Sequence, residues 1–253
     1  MLNIIGLGLR GTKSITLESF EVMKSCDSVY FETYTSISPG STMADLRNAL
    51  GRKLLEAGRD FIESEKDIID ESRDTKVCLL VTGDPLSATT HNQLRLDAMK
   101  AGVEVRIFEN SSIISVIPGV FGLMHYRFGP PVSIPFVSRS FFPTSVYDKI
   151  EKNISMDLHT LLLLDLKDGK TMPVQEAVRI LEELERRRKG RILEPERDIC
   201  VAIAVSQPGQ RLVFGTMGSI KKSGVEGNPA ALVLPSTLND SEETFLNEFA
   251  ERL

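Results

Sequence analysis

Three glycines near the start of the chain have the spacing of a nucleotide-binding loop. Gly6, Gly8 and Gly11 form the pattern G-x-G-x-x-G directly after an apolar stretch. In a dinucleotide-binding turn, such glycines let the backbone approach a pyrophosphate at the start of the next helix. An acidic residue about 20 positions further on, here Glu32, would bind a ribose hydroxyl. These residues raise the hypothesis of a cofactor that contains adenosine.

The start of the next helix fits a pyrophosphate site poorly. Thr16 is the predicted N-cap of that helix, and residues 12–15 separate it from Gly11. The glycines therefore precede the helix and do not form its first turn, so the requirements of an NAD site are only half satisfied. Alternatively, the glycines let the chain turn tightly after the first strand.

Two further stretches place polar groups where a ligand of a parallel sheet would lie. Asp84 follows an apolar strand in the stretch VTGDPLS, and Ser111 and Ser112 follow the next strand. Ligands of parallel sheets bind outside the carboxyl ends of the strands. The alternatives are a turn-forming Asp-Pro pair and serines that cap the following helix.

Other reactive side chains form no recognisable site. His91 is interpreted as a helix-face residue and His159 as the first residue of a strand, with no metal-ligand spacing. The basic stretch ELERRRKGR complements the end of a helix, and the net charge of −5 argues against a nucleic-acid partner. We expect no metal and no direct nucleic-acid binding. Three cysteines, far apart in the chain, are expected to be reduced thiols of a cytoplasmic protein: Cys26, Cys78 and Cys200.

Alternating strands and helices must position these residues. This alternation predicts an α/β chain with largely parallel sheets. No apolar stretch approaches the length of a membrane span, so no membrane association is expected. The predicted strands are residues 1–5, 28–31, 77–81, 103–108, 132–134, 161–164, 199–204, 212–214 and 230–234.

The helices are predicted from their end signals. Thr16 should cap a helix that carries Leu17, Phe20 and Met23 on its inward face. The remaining signals are capping boxes, an initial proline and terminal glycines. They predict helices from Thr90 with Gln93 to Gly102, from Pro173 to Gly190, and over residues 241–252 behind Asp240 with Glu243.

A change of pattern near residue 110 divides the chain. Before it, strands and helices alternate; beyond it, the alternation ends in three strands with little between them. We place a hinge at residues 109–112, which gives an N-terminal α/β domain of residues 1–110 and a C-terminal α/β domain of residues 111–253. A ligand site between the two domains is expected.

Six stretches, in order and spacing, resemble the diphthine synthase family. This family belongs to the tetrapyrrole methylase-like superfamily of S-adenosylmethionine-dependent methyltransferases. The resemblance covers nearly the whole chain and fades after about residue 205. The stretches are IIGLGLRGTKSITLES, FETYTS, VTGDPLSATTH, NSSIISVIPGVFGL, FFPTSVYDKIEKN and LHTLLLLDLK.

The resemblance implies a fold, a cofactor and partners. It implies two α/β domains of the tetrapyrrole methylase type, with S-adenosylmethionine in the interdomain cleft, and a cytoplasmic homodimer. The implied substrate is translation elongation factor 2. One histidine of that factor carries a 3-amino-3-carboxypropyl group, whose amine is methylated repeatedly to give diphthine. S-adenosylmethionine has no phosphate, which agrees with the displaced helix start.

The resemblance also implies a set of cofactor-binding residues. At Ser87 relatives often have an aliphatic residue, and at Ala230 they commonly have a histidine, so only a backbone contact is inferred there. No general base is identified. The implied set is Leu9, Asp84, Ser87, Ser112, Ile113, Leu164, Ala204 and Ala230.

Other functions remain open on the sequence alone. A methyltransferase of the same fold could act on a corrin precursor or on ribosomal RNA. The glycine loop also permits an NAD-dependent oxidoreductase, or a module that senses a nucleotide without catalysis.

Overall fold

The computed structural model describes residues 1–34, 36–37, 42–51, 54–64, 66–138, 140–167 and 169–253. Thr35, within the FETYTS stretch, lies outside these residues. The chain forms two compact units, Met1–Ile113 and Ile114–Leu253. A domain boundary after residue 110 stays a prediction.

The first unit is a parallel sheet with a hydrophobic cluster on each face. Its described strands run in the order β3-β2-β4-β1-β5, and all pairs are parallel. The elements are β1 (Leu2–Gly6), α1 (Leu17–Ser25), β2 (Ser28–Glu32), α2 (Met43–Leu50), β3 (Leu55–Ala57), α3 (Arg59–Ser64), α4 (Lys66–Asp74), β4 (Val77–Val81), α5 (His91–Lys100) and β5 (Val105–Phe108).

Side chains of the central strands alternate between the two clusters. On β1, Leu2 and Ile4 belong to one cluster and Ile5 to the other. On β4, Leu79 and Leu80 divide in the same way. Successive side chains of a strand point to opposite faces, so an uninterrupted apolar run is buried on both sides. This explains why β4 shows no alternation of polar and apolar residues; β1 has one polar residue, Asn3, whose side chain is also buried.

The second unit contains a six-stranded mixed sheet within the described residues. Its order is β13-β11-β10-β12-β7-β6. The elements are α6 (Ile113–Phe121), β6 (Val132–Ile134), α7 (Ser145–Ser155), β7 (Thr160–Leu164), β8 (Leu166–Lys167), β9 (Lys170–Thr171), α8 (Val174–Arg188), β10 (Asp198–Ile203), β11 (Arg211–Thr216), α9 (Met217–Ser223), β12 (Ala230–Leu234), α10 (Asp240–Phe249) and β13 (Glu251–Arg252).

The prediction of largely parallel sheets is wrong for this second unit. β10 pairs antiparallel with β11 and β12, and β12 pairs antiparallel with β7. The short connection between β10 and β11 explains the first pair, because parallel neighbours need a crossover of a dozen or more residues. The α/β class itself is confirmed.

The strand predictions are confirmed, with ends shifted by no more than two residues. The strands that the sequence analysis missed are short: β3, β8, β9 and β13. Segments of two or three residues carry no measurable alternation, so the periodicity of side chains could not indicate them.

The helix-end predictions are partly wrong. Thr16 caps α1 and accepts a hydrogen bond from the Ser19 amide, as predicted, but Leu17 is 87% exposed because it lies in the first turn, off the buried face. Thr90 precedes α5 without capping it, since its ψ of 1° is not the extended conformation that a capping box needs. Asn239 with Glu242 forms the capping box of α10, in place of Asp240 with Glu243.

The other helix ends also differ in detail. Pro173 is the N-cap of α8 and not its first helical residue, and Lys189 in the left-handed conformation ends the helix before Gly190. The final helix stops at Phe249, and the chain continues as β13. In the described part of the chain, no helix has the length and apolar character required to cross a membrane.

Candidate functional site

The glycine loop meets the loop after β4 at the carboxyl ends of two neighbouring strands. The Gly8 amide donates to the Gly83 carbonyl at 3.0 Å, and the Gly83 amide donates to the Gly8 carbonyl at 3.1 Å. A Cβ atom on Gly6 would lie 2.6 Å from the Gly83 oxygen and 2.8 Å from Cδ of Pro85. The two loops are therefore packed so closely that position 6 admits only glycine.

Asn110 connects the glycine loop to the segment after β5. Its Nδ2 donates to the carbonyl oxygens of Gly6 and Ser14, each at 3.0 Å, and its Oδ1 accepts from the Ser111 amide at 2.8 Å. Gly8 has a φ of +64°, and a Cβ atom there would lie 2.7 Å from Asn110 Oδ1. Sequence reasoning missed Asn110; its position directly after a strand and before two serines was the available signal.

Asp84 binds groups of two loops through its carboxylate. Oδ1 accepts from the Leu86 amide at 3.0 Å and from Ser87 Oγ at 2.8 Å. Oδ2 accepts from the Asn110 amide at 3.3 Å. Asp84 and Ser87, both predicted site residues, are thus brought into direct contact. The turn-forming interpretation is also satisfied, because the carboxylate closes the local turn.

The other predicted residues of the first unit lie beside the same strand ends. Leu9, half-buried, follows Gly8; Ser112 is buried, and Ile113 is the half-buried first residue of α6. β4, β1 and β5 are neighbours in the sheet, so these three strands present their carboxyl ends together. Thr82 adds a buried hydroxyl oxygen that has no hydrogen-bond partner among the described residues.

Three predicted residues lie at one edge of the second sheet. Leu164 ends β7, Ala204 follows β10, and Ala230 begins β12. Ala230 is the register partner of Ile203, and β7 lies next to β12 in antiparallel register. The three residues lie at the same edge because β12 is antiparallel to both of its neighbours, β10 and β7.

Ala204 has a backbone conformation that side chains rarely adopt. Its φ is +48°, and its amide donates to the Pro229 carbonyl at 2.8 Å. A non-glycine residue in the left-handed region costs of the order of 1–2 kcal/mol, and such residues cluster at functional sites. The cofactor role of Ala204 and of the other seven residues stays a prediction.

The acidic residue required by the NAD hypothesis is not available to a ribose. The Glu32 side chain is wholly buried and forms a hydrogen-bonded pair with Nε2 of His91. His91 is the first residue of α5, in agreement with its interpretation as a helix-face residue, and it is equally buried, which the sequence did not indicate. β2 and α5 bring the two residues together although 59 positions separate them.

His159 and two of the three cysteines also have partners that the sequence did not indicate. His159, just before β7, is buried; its Nδ1 accepts from the Ser236 amide and its Nε2 contacts Glu242. Cys26 and Cys78 are far apart in the chain, yet their sulfur atoms lie 2.7 Å apart. In the described ranges, no three His, Cys, Asp or Glu side chains are grouped as metal binding would require.

The basic stretch at the end of α8 is largely paired with carboxylates. Arg186 and Arg187 both bind Glu183, and Arg188 binds Asp148. Hydrogen bonds from the two arginines lower the pKa of Glu183 to about 2. These pairs agree with the interpretation of the stretch as a helix end.

The chain is similar to known proteins over its whole length. The profile of the family Tetrapyrrole (Corrin/Porphyrin) Methylases matches residues 1–221. Diphthine synthase of Thermoplasma acidophilum is 43% identical over 253 residues, covering 99% of this chain and 96% of that protein. Diphthine synthase of Methanothermobacter thermautotrophicus is 36% identical, with coverage of 99% and 96%.

A solved structure supports the same relationship. A crystal structure of diphthine synthase superposes with a TM-score of 0.90 at 29% identity. The match covers 100% of this chain and 96% of the chain in that structure. Both units are included in the similarity.

Proposed function

We propose that the substrate of this chain is translation elongation factor 2, because the chain belongs to the diphthine synthases. These are S-adenosylmethionine-dependent methyltransferases of diphthamide biosynthesis within the tetrapyrrole methylase family. The enzyme methylates the amine of the 3-amino-3-carboxypropyl-histidine on that factor repeatedly, giving diphthine. Full-length similarity to the diphthine synthases carries this proposal. The relatives favour neither a corrin precursor nor ribosomal RNA as substrate, and the burial of Glu32 counts against NAD.

We propose that eight residues bind S-adenosylmethionine. Apolar side chains and loop carbonyls suit a sulfonium cation and an adenine ring, as binding sites are mostly apolar with a few polar groups that orient the ligand. Asp84 and Ser87 order the loop after β4, and Ala230 contributes backbone atoms. The proposed set is Leu9, Asp84, Ser87, Ser112, Ile113, Leu164, Ala204 and Ala230.

Methyl transfer places modest demands on the protein. When bound, S-adenosylmethionine supplies an activated methyl group: the new N–C bond forms as the S–C bond breaks, and sulfur keeps the electron pair. The site has to hold the two reacting atoms about 3–3.5 Å apart and in line. The attacking amine must be neutral, whereas a lysine-like amine has a pKa of about 10.4. Apolar surroundings would lower that pKa, and the released proton could pass to water.

The proposal includes the assembly and the location of the enzyme. We propose a homodimer that acts in the cytoplasm, where elongation factor 2 works. Cys26, Cys78 and Cys200 are all buried, and their wide spacing in the chain is typical of the reduced thiols of a cytoplasmic protein. Sedimentation equilibrium should give a mass of two chains, against 28.1 kDa for one; a monomer at all concentrations would exclude the dimer.

A methylation assay tests the substrate. Purified enzyme receives methyl-labelled S-adenosylmethionine and elongation factor 2 that carries the aminocarboxypropyl group, with the unmodified factor as control. Intact-mass spectrometry should show the stepwise addition of methyl groups to the modified factor alone. Equal methylation of both factors would refute the assignment. Transfer of label to RNA or corrinoids, when the enzyme is incubated with a cell lysate, would also refute it.

Calorimetric titration tests the cofactor separately. S-adenosylmethionine and S-adenosylhomocysteine should both bind, since they share the adenosine and amino acid parts, whereas NAD should not bind. Binding of NAD without binding of S-adenosylmethionine would contradict the proposed site.

A further inference from the structure

A buried Glu–His pair lies directly behind the loop that carries Asp84. Glu32 ends β2 and His91 begins α5, and neither side chain has any exposed surface. Neither residue belongs to the proposed cofactor-binding set. Burying two such polar side chains is unfavourable unless each hydrogen-bonding atom has a partner. The second ring nitrogen of His91 should therefore also have a hydrogen-bond partner.

The other ring nitrogen of His91 contacts the loop itself. Nδ1 lies 3.0 Å from the carbonyl oxygen of Pro85 and 2.7 Å from Oγ1 of Thr89. A carbonyl oxygen only accepts hydrogen bonds, so the contact with Pro85 requires a proton on Nδ1. Nε2 is the nitrogen that faces Glu32. Glu32 thereby orients the ring, and the ring holds the backbone at Pro85.

Pro85 is the residue immediately after Asp84. Gly83, two residues before Pro85, has a positive φ, and glycine permits many backbone conformations. The loop therefore needs contacts from other parts of the unit to keep a single conformation. Asp84 holds the far side of the loop through Leu86, Ser87 and Asn110. The His91 contact at Pro85 holds the near side, from the interior of the unit.

We propose that Glu32 and His91 are positioning residues that fix the Asp84 loop for S-adenosylmethionine binding. This inference rests on the proposed function. The pair touches neither substrate nor cofactor; Glu32 sets the orientation of the His91 ring through Nε2, and the ring holds the Pro85 carbonyl through Nδ1. A loosened loop would bind the cofactor less tightly, because ordering the loop would then accompany each binding event.

Two substitutions of Glu32 test this role. Glu32→Gln keeps a hydrogen-bonding partner for Nε2, because its amide offers both an acceptor and a donor, and its affinity for S-adenosylmethionine should stay within about threefold of wild type. Glu32→Met removes the partner at similar volume and should weaken binding about tenfold or more, the size expected for a lost charged hydrogen bond. The KM for S-adenosylmethionine should rise accordingly, whereas kcat at saturation should change by less than about threefold.

A pair of threonine substitutions keeps the inference testable if Glu32→Met does not fold. Thr89→Val removes the hydroxyl next to Nδ1, whereas Thr90→Val alters an exposed neighbour whose side chain forms no capping hydrogen bond. Thr89→Val should weaken cofactor binding by about two- to fivefold, and Thr90→Val should leave it unchanged. Circular dichroism spectra confirm that each variant is folded.

The outcomes separate the inference from the proposed function. If the wild-type enzyme does not bind S-adenosylmethionine, the proposed function fails. If the wild type binds and both Glu32→Met and Thr89→Val bind equally well, the positioning role is wrong and the function stands. If only Thr89→Val can be measured, its unchanged affinity is enough to overturn the positioning role.

Discussion

At the residue scale, one carboxylate organises the candidate site. Asp84 accepts hydrogen bonds from an amide and a hydroxyl of its own turn and from the amide of Asn110. Donors from two separate segments therefore converge on one side chain. A side chain without an accepting oxygen would leave these donors unpaired in a half-buried position, so the loop would lose its ordered conformation.

Replacing Asp84 should weaken cofactor binding. We expect Asp84→Ala to reduce the affinity for S-adenosylmethionine about tenfold or more, because hydrogen bonds to a charged group are worth about 1.5–3 kcal/mol. Calorimetric titration measures the affinity, and Asp74→Ala serves as a control at an exposed helix end. Unchanged affinity in Asp84→Ala would remove this residue from the site.

Replacing Thr82 should increase the stability of the free enzyme. Its buried hydroxyl has no partner among the described residues, and an unpaired buried hydroxyl costs about 1–3 kcal/mol. Thr82→Val keeps the shape and removes the hydroxyl, so the free energy of unfolding in urea should rise by about 1 kcal/mol. A clear loss of stability would show that the hydroxyl has a partner in solution.

At the element scale, the contact between two strand ends makes the site rigid. β1 and β4 are parallel neighbours, and their loops exchange two backbone hydrogen bonds between Gly8 and Gly83. Asn110, after β5, holds the same glycine loop. Three adjacent strands thus fix one loop cluster, and the rigidity comes from backbone contacts that require glycine.

A methyl group at Gly6 should break this contact. The Cβ atom of Gly6→Ala would meet the Gly83 oxygen and the Pro85 ring, neither of which can move away alone. Overpacking of this kind costs about 1–3 kcal/mol, so both the stability and the cofactor affinity should fall. Gly209→Ala is the control, because nothing lies within 4 Å of the added carbon there. Equal stability of the two variants in urea would contradict the close packing.

At the scale of the whole molecule, buried ionisable groups determine how stability depends on pH. Burial lowers the pKa of His159, against the opposing effect of its hydrogen bond to Glu242. Burial also acts to raise the pKa of Glu242, but hydrogen bonds from Met124, His159 and Asn239 outweigh it and the net pKa is lowered. Both residues therefore bind protons more readily in the unfolded chain.

The free energy of unfolding should consequently fall as the pH is lowered. The contribution of His159 is present above its unfolded pKa of about 6.5 and is lost as the pH falls below it. Glu242 adds a second loss below about pH 4.3. Urea denaturation followed by circular dichroism, at a series of pH values from 7.5 down to about 2, measures both losses.

A matched pair of variants assigns the first loss. His159→Gln removes the titrating ring and keeps a donor toward Glu242, so the decrease between about pH 7 and 5 should become smaller. His125→Gln changes an exposed histidine and should retain the wild-type profile. An unaltered profile in His159→Gln would show that another group causes the pH dependence.

The sequence alone was enough to predict the α/β class, the main strands and the residues of the two loops at Gly8 and Asp84. These features follow from local causes: runs of apolar side chains, helix-capping residues, and glycines whose conformations other residues avoid. The resemblance of successive motifs extended this to the family. Short strands and helix ends were predicted less well, because two or three residues carry no periodic signal.

The contacts between side chains far apart in the chain could be found only from the three-dimensional structure. Asn110 joins the glycine loop because β5 lies beside β1, and Glu32 meets His91 because β2 and α5 bring them together. The mixed order of the second sheet likewise collects Leu164, Ala204 and Ala230 at one edge. Strand order and direction depend on how whole elements pack, and no local pattern in the chain records them.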